Sequence, residues 1–410
     1  MEEKIESQKQ TPVSENLCGL LIKSASTQMF NIDKNSAIPL YYQLENILLE
    51  KIKSNEFVDK LPSEFELCKF FNISRTTVRQ AIDNLIHKGY LYRKHGSGTF
   101  IFKKLNVENN TKIGIIIPAL EYGGILPDLL RGIMEELKNN GINTALITYK
   151  QNIEDIEKSA NSLLSQKANG IIYIPMIYSD DILSDYTYNE ILQKETQIIK
   201  DFLERRIKIV FIDRKLPGIE TDYVGTDNIN STYNLIKYVI ESGHKKIGII
   251  INHTKEHSPS SVLERVDGYK KAFKKYNIEI DNSLIKYYGC ALQEIHFRIK
   301  QFLIEHPEMT AVFTITDSVA KNFIDAAYEL GKKIPDDISL VSFDDEFGEY
   351  YSLTTIRQPM YEIGRKAVEF LISEITGVNA IDYRINNGLK QFQSILLEGK
   401  LIIRNSVKKI

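Results

Sequence analysis

Cysteine is scarce in this chain. Cys18, Cys68 and Cys290 are odd in number and far apart, which excludes a disulfide framework and a metal-ligand spacing. They read as incidental thiols of a reducing compartment. Long apolar runs are missing too. The longest stretches, such as 113–120, are strand-sized and carry Gly and Pro, well short of the roughly 20 residues that cross a bilayer. Residues 1–11 are charged and polar, without the apolar core of an export signal. No repeat at solenoid spacing is visible. The seven histidines show no metal-ligand or Cys-His spacing. His253 and His257 are four apart, but Pro259 nearby favours a loop. These absences predict a cytoplasmic protein with no membrane segment, no metal, no cofactor and no catalytic centre.

What is present suffices for large folded units. Hydrophobic residues make up 43% of 410 positions, so disorder over most of the length is excluded and two or three compact units are expected. Residues 1–36 are polar, with one apolar patch at 17–22, and read as a mobile extension. The net charge of -2 hides an asymmetry. Residues 37–104 carry 11 Lys and Arg against 7 Asp and Glu. That is an excess of positive charge in a chain otherwise acidic, which suits a nucleic-acid partner.

The pattern inside 37–104 sharpens this. Tyr41, Leu44, Ile47, Leu48 and Ile52 recur at helical spacing. Ser63 and Glu66 form a capping-box signature for a second helix. After a break at Asn72-Ile73, Ser74 caps a third, with Val78, Ala81, Ile82 and Leu85 on its apolar face. Arg75, Thr76, Arg79 and Gln80 then fall on the opposite face. Arginine can grip guanine bidentately and threonine can meet a base edge or a thymine methyl. The Ser74 and Thr77 hydroxyls at a helix N-terminus suit phosphates. Two short strands flank a tip, His95-Gly96-Ser97-Gly98, beside Arg93 and Lys94. The expected unit is a winged helix-turn-helix for double-stranded DNA.

A polar linker at 105–111 leads to a different pattern over 112–410. Apolar runs alternate with amphipathic helices in two tandem series, one ending near 212 and one from 223 to 343. Such alternation predicts an α/β architecture of two lobes with parallel sheets. Ligands in these sheets sit at the carboxyl ends of strands. Asp213-Arg214, Asp317 and Asp344 stand at such ends, with Arg265 in a helix and Gln358 in a later segment. Carboxylates, guanidinium and amide groups are the donors and acceptors a polyhydroxylated ligand needs. A helix at 361–376 is apolar enough to pack in the core or to help form a dimer.

The first unit resembles the GntR family of bacterial transcription factors. The resemblance runs from Pro39-Leu40-Tyr41-Tyr42-Gln43 through Leu61-Pro62-Ser63-Glu64 and Ser74-Arg75-Thr76-Thr77-Val78-Arg79 to His95-Gly96-Ser97-Gly98-Thr99-Phe100. It implies that Arg75, Thr76, Thr77 and Arg79 meet the groove or its phosphates. It assigns His95 and Gly96, with Lys94 beside them, to the wing, and Tyr41 and Ser74 to the backbone. Phe65 stands where many members carry a basic or polar residue, which makes Glu64 the candidate contact of the second helix. From Lys112 onward the chain resembles the LacI/GalR-type effector domain, itself similar to periplasmic sugar-binding proteins. The carrying segments include Val224-Gly225-Thr226-Asp227-Asn228, Arg265-Val266-Asp267-Gly268-Tyr269 and Leu353-Thr354-Thr355-Ile356-Arg357-Gln358-Pro359. This implies Asp213, Arg214, Arg265, Asp317, Asp344 and Gln358 as effector contacts. In the first loop Glu121 and Tyr122 would supply an acceptor and a stacking ring. The combination resembles the arabinose repressor branch. The expectation is a homodimeric repressor released from its operator by a small sugar, arabinose or another pentose. Regulation by a hexose, oligosaccharide, nucleoside or sugar phosphate, or activation instead of repression, remains open from the residues alone.

Overall fold

The computed structural model describes residues 32–34, 36, 38–54, 56–57, 60–87, 90–94, 98–101, 111–119, 124–149, 152–176, 187–289, 292–376 and 392–410. The apolar patch at 17–22, the wing tip His95-Gly96 and the loop residues Glu121 and Tyr122 lie outside them. The chain divides into two compact units, residues 1–106 and 107–410.

The first unit packs α1 (Leu40–Lys53), α2 (Glu64–Phe71) and α3 (Arg75–His87) against a hairpin of β1 (Leu91–Lys94) and β2 (Gly98–Ile101). The expected caps form. Ser63 accepts from Glu66 N while Glu66 reaches back to Ser63 N, closing a capping box. Asn72 ends α2 in the left-handed region at φ 50°, where a short polar side chain is tolerated. Ser74 Oγ accepts from Thr77 N at 3.2 Å and so starts α3. The helical periodicity puts Leu44, Leu48, Leu67, Val78, Ala81, Ile82 and Leu85 in one core, closed by Leu91 and Ile101 of the wing. The hairpin is antiparallel, Leu91 opposite Ile101 and Lys94 opposite Gly98.

The second unit holds two parallel sheets. The first lobe runs β3 (Lys112–Pro118), α4 (Leu126–Asn139), β4 (Asn143–Tyr149), α5 (Ile153–Ser165), β5 (Gly170–Tyr173), α6 (Tyr188–Glu204), β6 (Lys208–Ile212) and β7 (Asp222–Thr226). The chain then crosses to the second lobe. There follow α7 (Asn228–Glu241), β8 (Ile247–Ile251), α8 (Ser260–Lys275), β9 (Ile285–Tyr287), α9 (Leu292–Glu305), β10 (Ala311–Thr314), α10 (Asp317–Glu329), β11 (Ser339–Asp344), α11 (Gly348–Tyr351) and β12 (Thr354–Arg357). A second crossing returns α12 (Met360–Thr376) and β13 (Ser394–Leu397) to the first lobe. A third takes β14 (Lys400–Ile402) back to the second. The sheet orders are β13-β7-β6-β5-β3-β4 and β14-β12-β11-β10-β8-β9. Every pair is parallel except β12 with β14.

Parallel strands covered by helices on both faces are buried throughout, which is why they read as unbroken Ile and Val runs. β7, β8 and β10 are buried at every residue. In each sheet the chain reverses its direction of strand addition beside the first strand, at β3–β5 and at β8–β10. Those switch points are where a doubly wound sheet leaves a crevice.

The helix at 360–376 serves the core. Ile363, Ala367, Val368, Leu371 and Ile372 are buried. It meets α4 at backbone distance: a Cβ on Gly132 would lie 2.1 Å from Tyr361 O, and one on Gly364 would lie 2.3 Å from Leu129 O. Neither clash falls on a side chain that could move. Gly132→Ala is therefore expected to destabilise the second unit by about 1–3 kcal/mol, the usual cost of overpacking, seen as a lower thermal midpoint. An unchanged midpoint would show that the two helices can separate freely.

Candidate DNA interface and effector cleft

On the first unit, the face of α3 opposite its core carries Arg75, Thr76 and Arg79. Arg75 and Arg79 side chains are 72% and 54% exposed. They are not independent. Glu64 at the start of α2 accepts from Arg75 Nε at 3.0 Å and from Arg79 NH2 at 3.2 Å. Arg93 of the wing also donates to Glu64, at 3.4 Å, and pairs with Asp83 at 2.6 Å. Burial pushes the Glu64 carboxyl up, but the hydrogen bonds from Arg79 and Arg75 outweigh it and hold it below the usual range. Glu64 of α2 thus ties three cations, two from α3 and one from the wing, into one array. Both oxygens of Glu64, the expected contact of the second helix, hold arginines of this face. Ser74 Oγ lies 2.7 Å from Thr76 Oγ1 and 2.8 Å from Thr77 Oγ1, a hydroxyl cluster at the start of α3. Tyr41 is half-buried against the core beneath. Lys94 ends β1, and its side chain lies outside the described residues.

Glu64→Gln keeps the shape and removes the charge. It is expected to strengthen binding to unrelated duplex DNA and to steepen its salt dependence, since the face gains one net positive charge. The preference for the operator over unrelated DNA should fall, because the arginines lose their common anchor. Salt titrations on both duplexes measure this; an unchanged preference would show that Glu64 orders nothing.

In the second unit the strand ends of both lobes meet around a cavity of about 210 Å³. Pro118, Tyr149 and Ile174 contribute from the first lobe, and His253, Val262 and Thr316 from the second. Of the expected effector residues, Asp213, Arg214, Arg265 and Asp344 line it. Asp213 and Asp344 leave their strands with φ of 66° and 108°. That backbone is costly for a residue with a side chain, on the order of 1–3 kcal/mol, and clusters at ligand sites. Asp345 follows at φ 60°, but its carboxylate is held by Arg357 at 2.6 Å and Arg404 at 2.7 Å. The strain therefore sends two adjacent aspartates in different directions, one to the scaffold and one to the cavity.

Arg265 donates to Ile315 O at 2.8 Å and to Asn228 Oδ1 at 3.2 Å, and pairs with Asp344 at 3.2 Å. Its guanidinium rests on the Phe343 ring, 3.8 Å from the centroid. Burial raises the Asp344 carboxyl to about 7, against the pull of Arg265. Arg214 Nε lies 3.5 Å from Asp213 Oδ2, too long for a good hydrogen bond. It and His253 Nδ1 are buried polar atoms without a hydrogen-bond partner among the described residues. Buried polar atoms are nearly always satisfied, and these two belong to residues that line the cavity from opposite lobes, where a polar ligand would complete them. Burial, with Arg214 and Arg265 nearby, lowers His253 to about 4, so the imidazole is neutral.

Two expected contacts stand elsewhere. Asp317 does not line the cavity. It accepts from Phe347 N at 3.1 Å and Thr355 Oγ1 at 3.3 Å and ties α10 to the segment after β11. Gln358 lies behind the wall, donating to Asp344 Oδ1 at 2.7 Å and accepting from Thr226 Oγ1 at 2.6 Å. His253 and Glu346, both on the cavity wall, escaped the sequence reading. His253 ends the β8 run and obeys the strand-end rule that exposes Asp213. Glu346 follows Asp344-Asp345, and its carboxyl is raised by burial beside Gly124 of the other lobe.

A basic winged reader and a two-lobed cleft with orphaned polar atoms define a DNA-binding transcription regulator with an effector domain. Residues 40–101 match the bacterial regulatory proteins of the gntR family, and residues 236–407 match the periplasmic binding protein-like domain. The chain thus joins a gntR-family DNA-binding region to a periplasmic-binding-protein-like domain. It is similar to the arabinose metabolism transcriptional repressor of Halalkalibacterium halodurans, 29% identical over 85% of this chain and 90% of that one. The repressor of the same name from Geobacillus stearothermophilus is 26% identical over 92% of this chain and all of that one. The HTH-type transcriptional repressor PurR of Haemophilus influenzae is 26% identical over 77% and 86%. Among solved structures, the transcription regulator CcpA of Lactococcus lactis shares the fold, with a TM-score of 0.58 at 24% identity over 73% of this chain and 99% of that one.

Proposed function

We propose that the chain is a repressor whose hold on its operator is released by a small neutral sugar, with arabinose or another pentose as the favoured effector. The charge balance of the cavity carries this reading. Arg214 and Arg265 face three carboxylates, Asp213, Asp344 and Glu346, beside a neutral imidazole. A sugar phosphate would bring an anion to arginines already paired with Asp213 and Asp344, beside Glu346. A neutral polyol donates its hydroxyls to the carboxylates and accepts from the arginines. Both bonds to Asp344 described above fall on Oδ1, leaving Oδ2 for a ligand hydroxyl. The cavity is smaller than the roughly 300–1,000 Å³ of sites for drug-sized ligands, which suits a monosaccharide. Two relatives covering most of the chain are named for arabinose metabolism.

In this reading Asp213, Arg214, Arg265 and Asp344 bind the sugar, joined by His253 and Glu346, with Glu121 and Tyr122 completing the first-lobe side. Arg75, Thr76 and Arg79 read the groove, Ser74, Thr77 and Tyr41 hold the backbone, and Lys94, His95 and Gly96 serve the wing. The protein acts in the cytoplasm as a homodimer on a near-palindromic site and catalyses no reaction. No described helix is long and apolar enough to cross a membrane. A thermal-shift panel of pentoses, hexoses, sugar phosphates, nucleosides and purines tests the effector class. A ligand at a hundred times its Kd adds about 2.7 kcal/mol. Stabilisation by L-arabinose or another pentose is expected; stabilisation by a phosphorylated compound or a purine alone would refute the reading.

A further inference from the structure

The wing is fastened to the rest of the first unit in two ways. On the inner side, Leu91 and Ile101 enter the core. Leu61 N donates to Thr99 O at 2.9 Å, and Lys60 bridges to Phe100, which holds β2 to the segment before α2. On the outer side stands Arg93 of β1, opposite Thr99 and one residue short of the strand's end. Its NH1 meets Asp83 Oδ1 of α3 at 2.6 Å, and its NH2 meets Glu64 Oε1 of α2 at 3.4 Å. Both terminal nitrogens are engaged, one on each helix of the helix-turn-helix. Asp83 follows Arg75 and Arg79 at intervals of four, so it continues the stripe of α3 that carries them.

The Arg93 and Asp83 side chains are 42% and 38% exposed, and an ion pair that open to water adds little to stability. What it fixes is geometry. The guanidinium is a planar fork whose arms accept partners in set directions. With one arm on α3 and the other on α2, the outer half of β1 is held at one angle to the face that carries Arg75, Thr76 and Arg79. A carboxylate on that stripe would repel phosphates unless a cation covered it, and Arg93 covers Asp83. We propose that Asp83 and Arg93 are positioning residues, a latch that sets the angle of the wing to the reading helix so that the two dock on DNA as one rigid piece. Neither has to touch the duplex. This joint presupposes the reading of α3 and the wing as the DNA-contacting elements. Without the latch, the outer half of the wing is ordered only at the moment of binding, and affinity for the specific site falls by that ordering. Binding to unrelated duplex follows charge and does not depend on the angle.

The test uses the full-length chain and a duplex it selects from a random pool. Asp83→Asn removes one partner of the fork at constant shape and takes away a negative charge. Arg93→Lys keeps the charge and loses the fork. Affinities for the selected and for an unrelated duplex are measured by anisotropy. Methylation of guanine N7 then reports on α3 in the major groove, and hydroxyl-radical cleavage of the flanking deoxyriboses reports on the wing. We expect each variant to lose preference for the selected duplex by about three- to tenfold, the effect of ordering one or two long side chains on binding. Affinity for unrelated duplex, the thermal midpoint and the guanine protection should hold, while the flanking protection fades. The double variant should lose no more than either single one, since both open the same latch. An Asp83→Asn protein that binds the selected duplex as tightly as the parent or more so, with its flanking protection intact, overturns the latch; Arg93 would then be a phosphate contact that Asp83 holds back. A lower midpoint with equal loss on both duplexes overturns it too, since the pair would then only support the fold. A parent that protects no guanine, or nothing beyond its guanines, overturns the reading of α3 or of the wing, and the latch with it.

Discussion

Arg75→Ala and Arg79→Ala are each expected to weaken operator binding by about 1–3 kcal/mol, roughly 5- to 150-fold in Kd, while effector binding persists. Both side chains project from the exposed face of α3, and each can offer two parallel donors to a guanine. Because both share Glu64, their losses should not add. Removing one arginine leaves Glu64 with fewer partners and frees the other to shift, so the double variant measures coupling within the array. The loss should fall mainly on the specific site. Binding to unrelated duplex depends on total charge, and each substitution removes one phosphate-facing cation at most. An anisotropy titration showing parental affinity and preference in both variants would mean that α3 is not the reading helix.

Arg265→Ala and Asp344→Asn should do the reverse. Operator binding without sugar should survive, and sugar affinity should fall by about 2–5 kcal/mol, or at least thirtyfold, the usual loss when one member of a buried charged contact is removed. Arg265 also anchors Ile315 O and Asn228. Its removal leaves Asp344 buried without a cation, so a loss of stability on the order of 3–5 kcal/mol accompanies it. Asp344→Asn avoids most of that cost, because the amide replaces a carboxyl that burial already raises to about 7. Agreement between the two variants therefore separates ligand contact from folding. Sugar-induced stabilisation of normal size in Asp344→Asn would remove that carboxylate from the site.

Much of the architecture was legible in the residues, for local reasons. The Ser63-Glu66 capping box, the Ser74 cap and the apolar faces of the first three helices depend on neighbours in sequence. So does the strand–helix alternation of the two lobes. β12, β13 and β14 were not legible. Each is three or four residues long and gains its identity from a partner far away: Ser394 pairs with Tyr223, and Leu401 with Ile356. The strand-end rule located Asp213, Arg214 and Asp344. It could not tell which way a side chain turns once the backbone leaves the strand. Asp317 obeys the rule yet points to Phe347 N and Thr355, and Gln358 is drawn off the wall by Thr226. His253 obeys the rule as well. Pro259 and the polar residues around it make its segment read as a loop without chemistry.

The account stands on one coupling, between the cleft of the second unit and the grip of the first on DNA. The direct measurement is the affinity of the full-length chain for a duplex it selects from a random pool, with and without saturating L-arabinose and other pentoses. At least one of these sugars is expected to lower that affinity at least about tenfold, with phosphorylated sugars and purines inert. A chain that holds the selected duplex equally in the presence of every sugar, or selects no duplex, would contradict it.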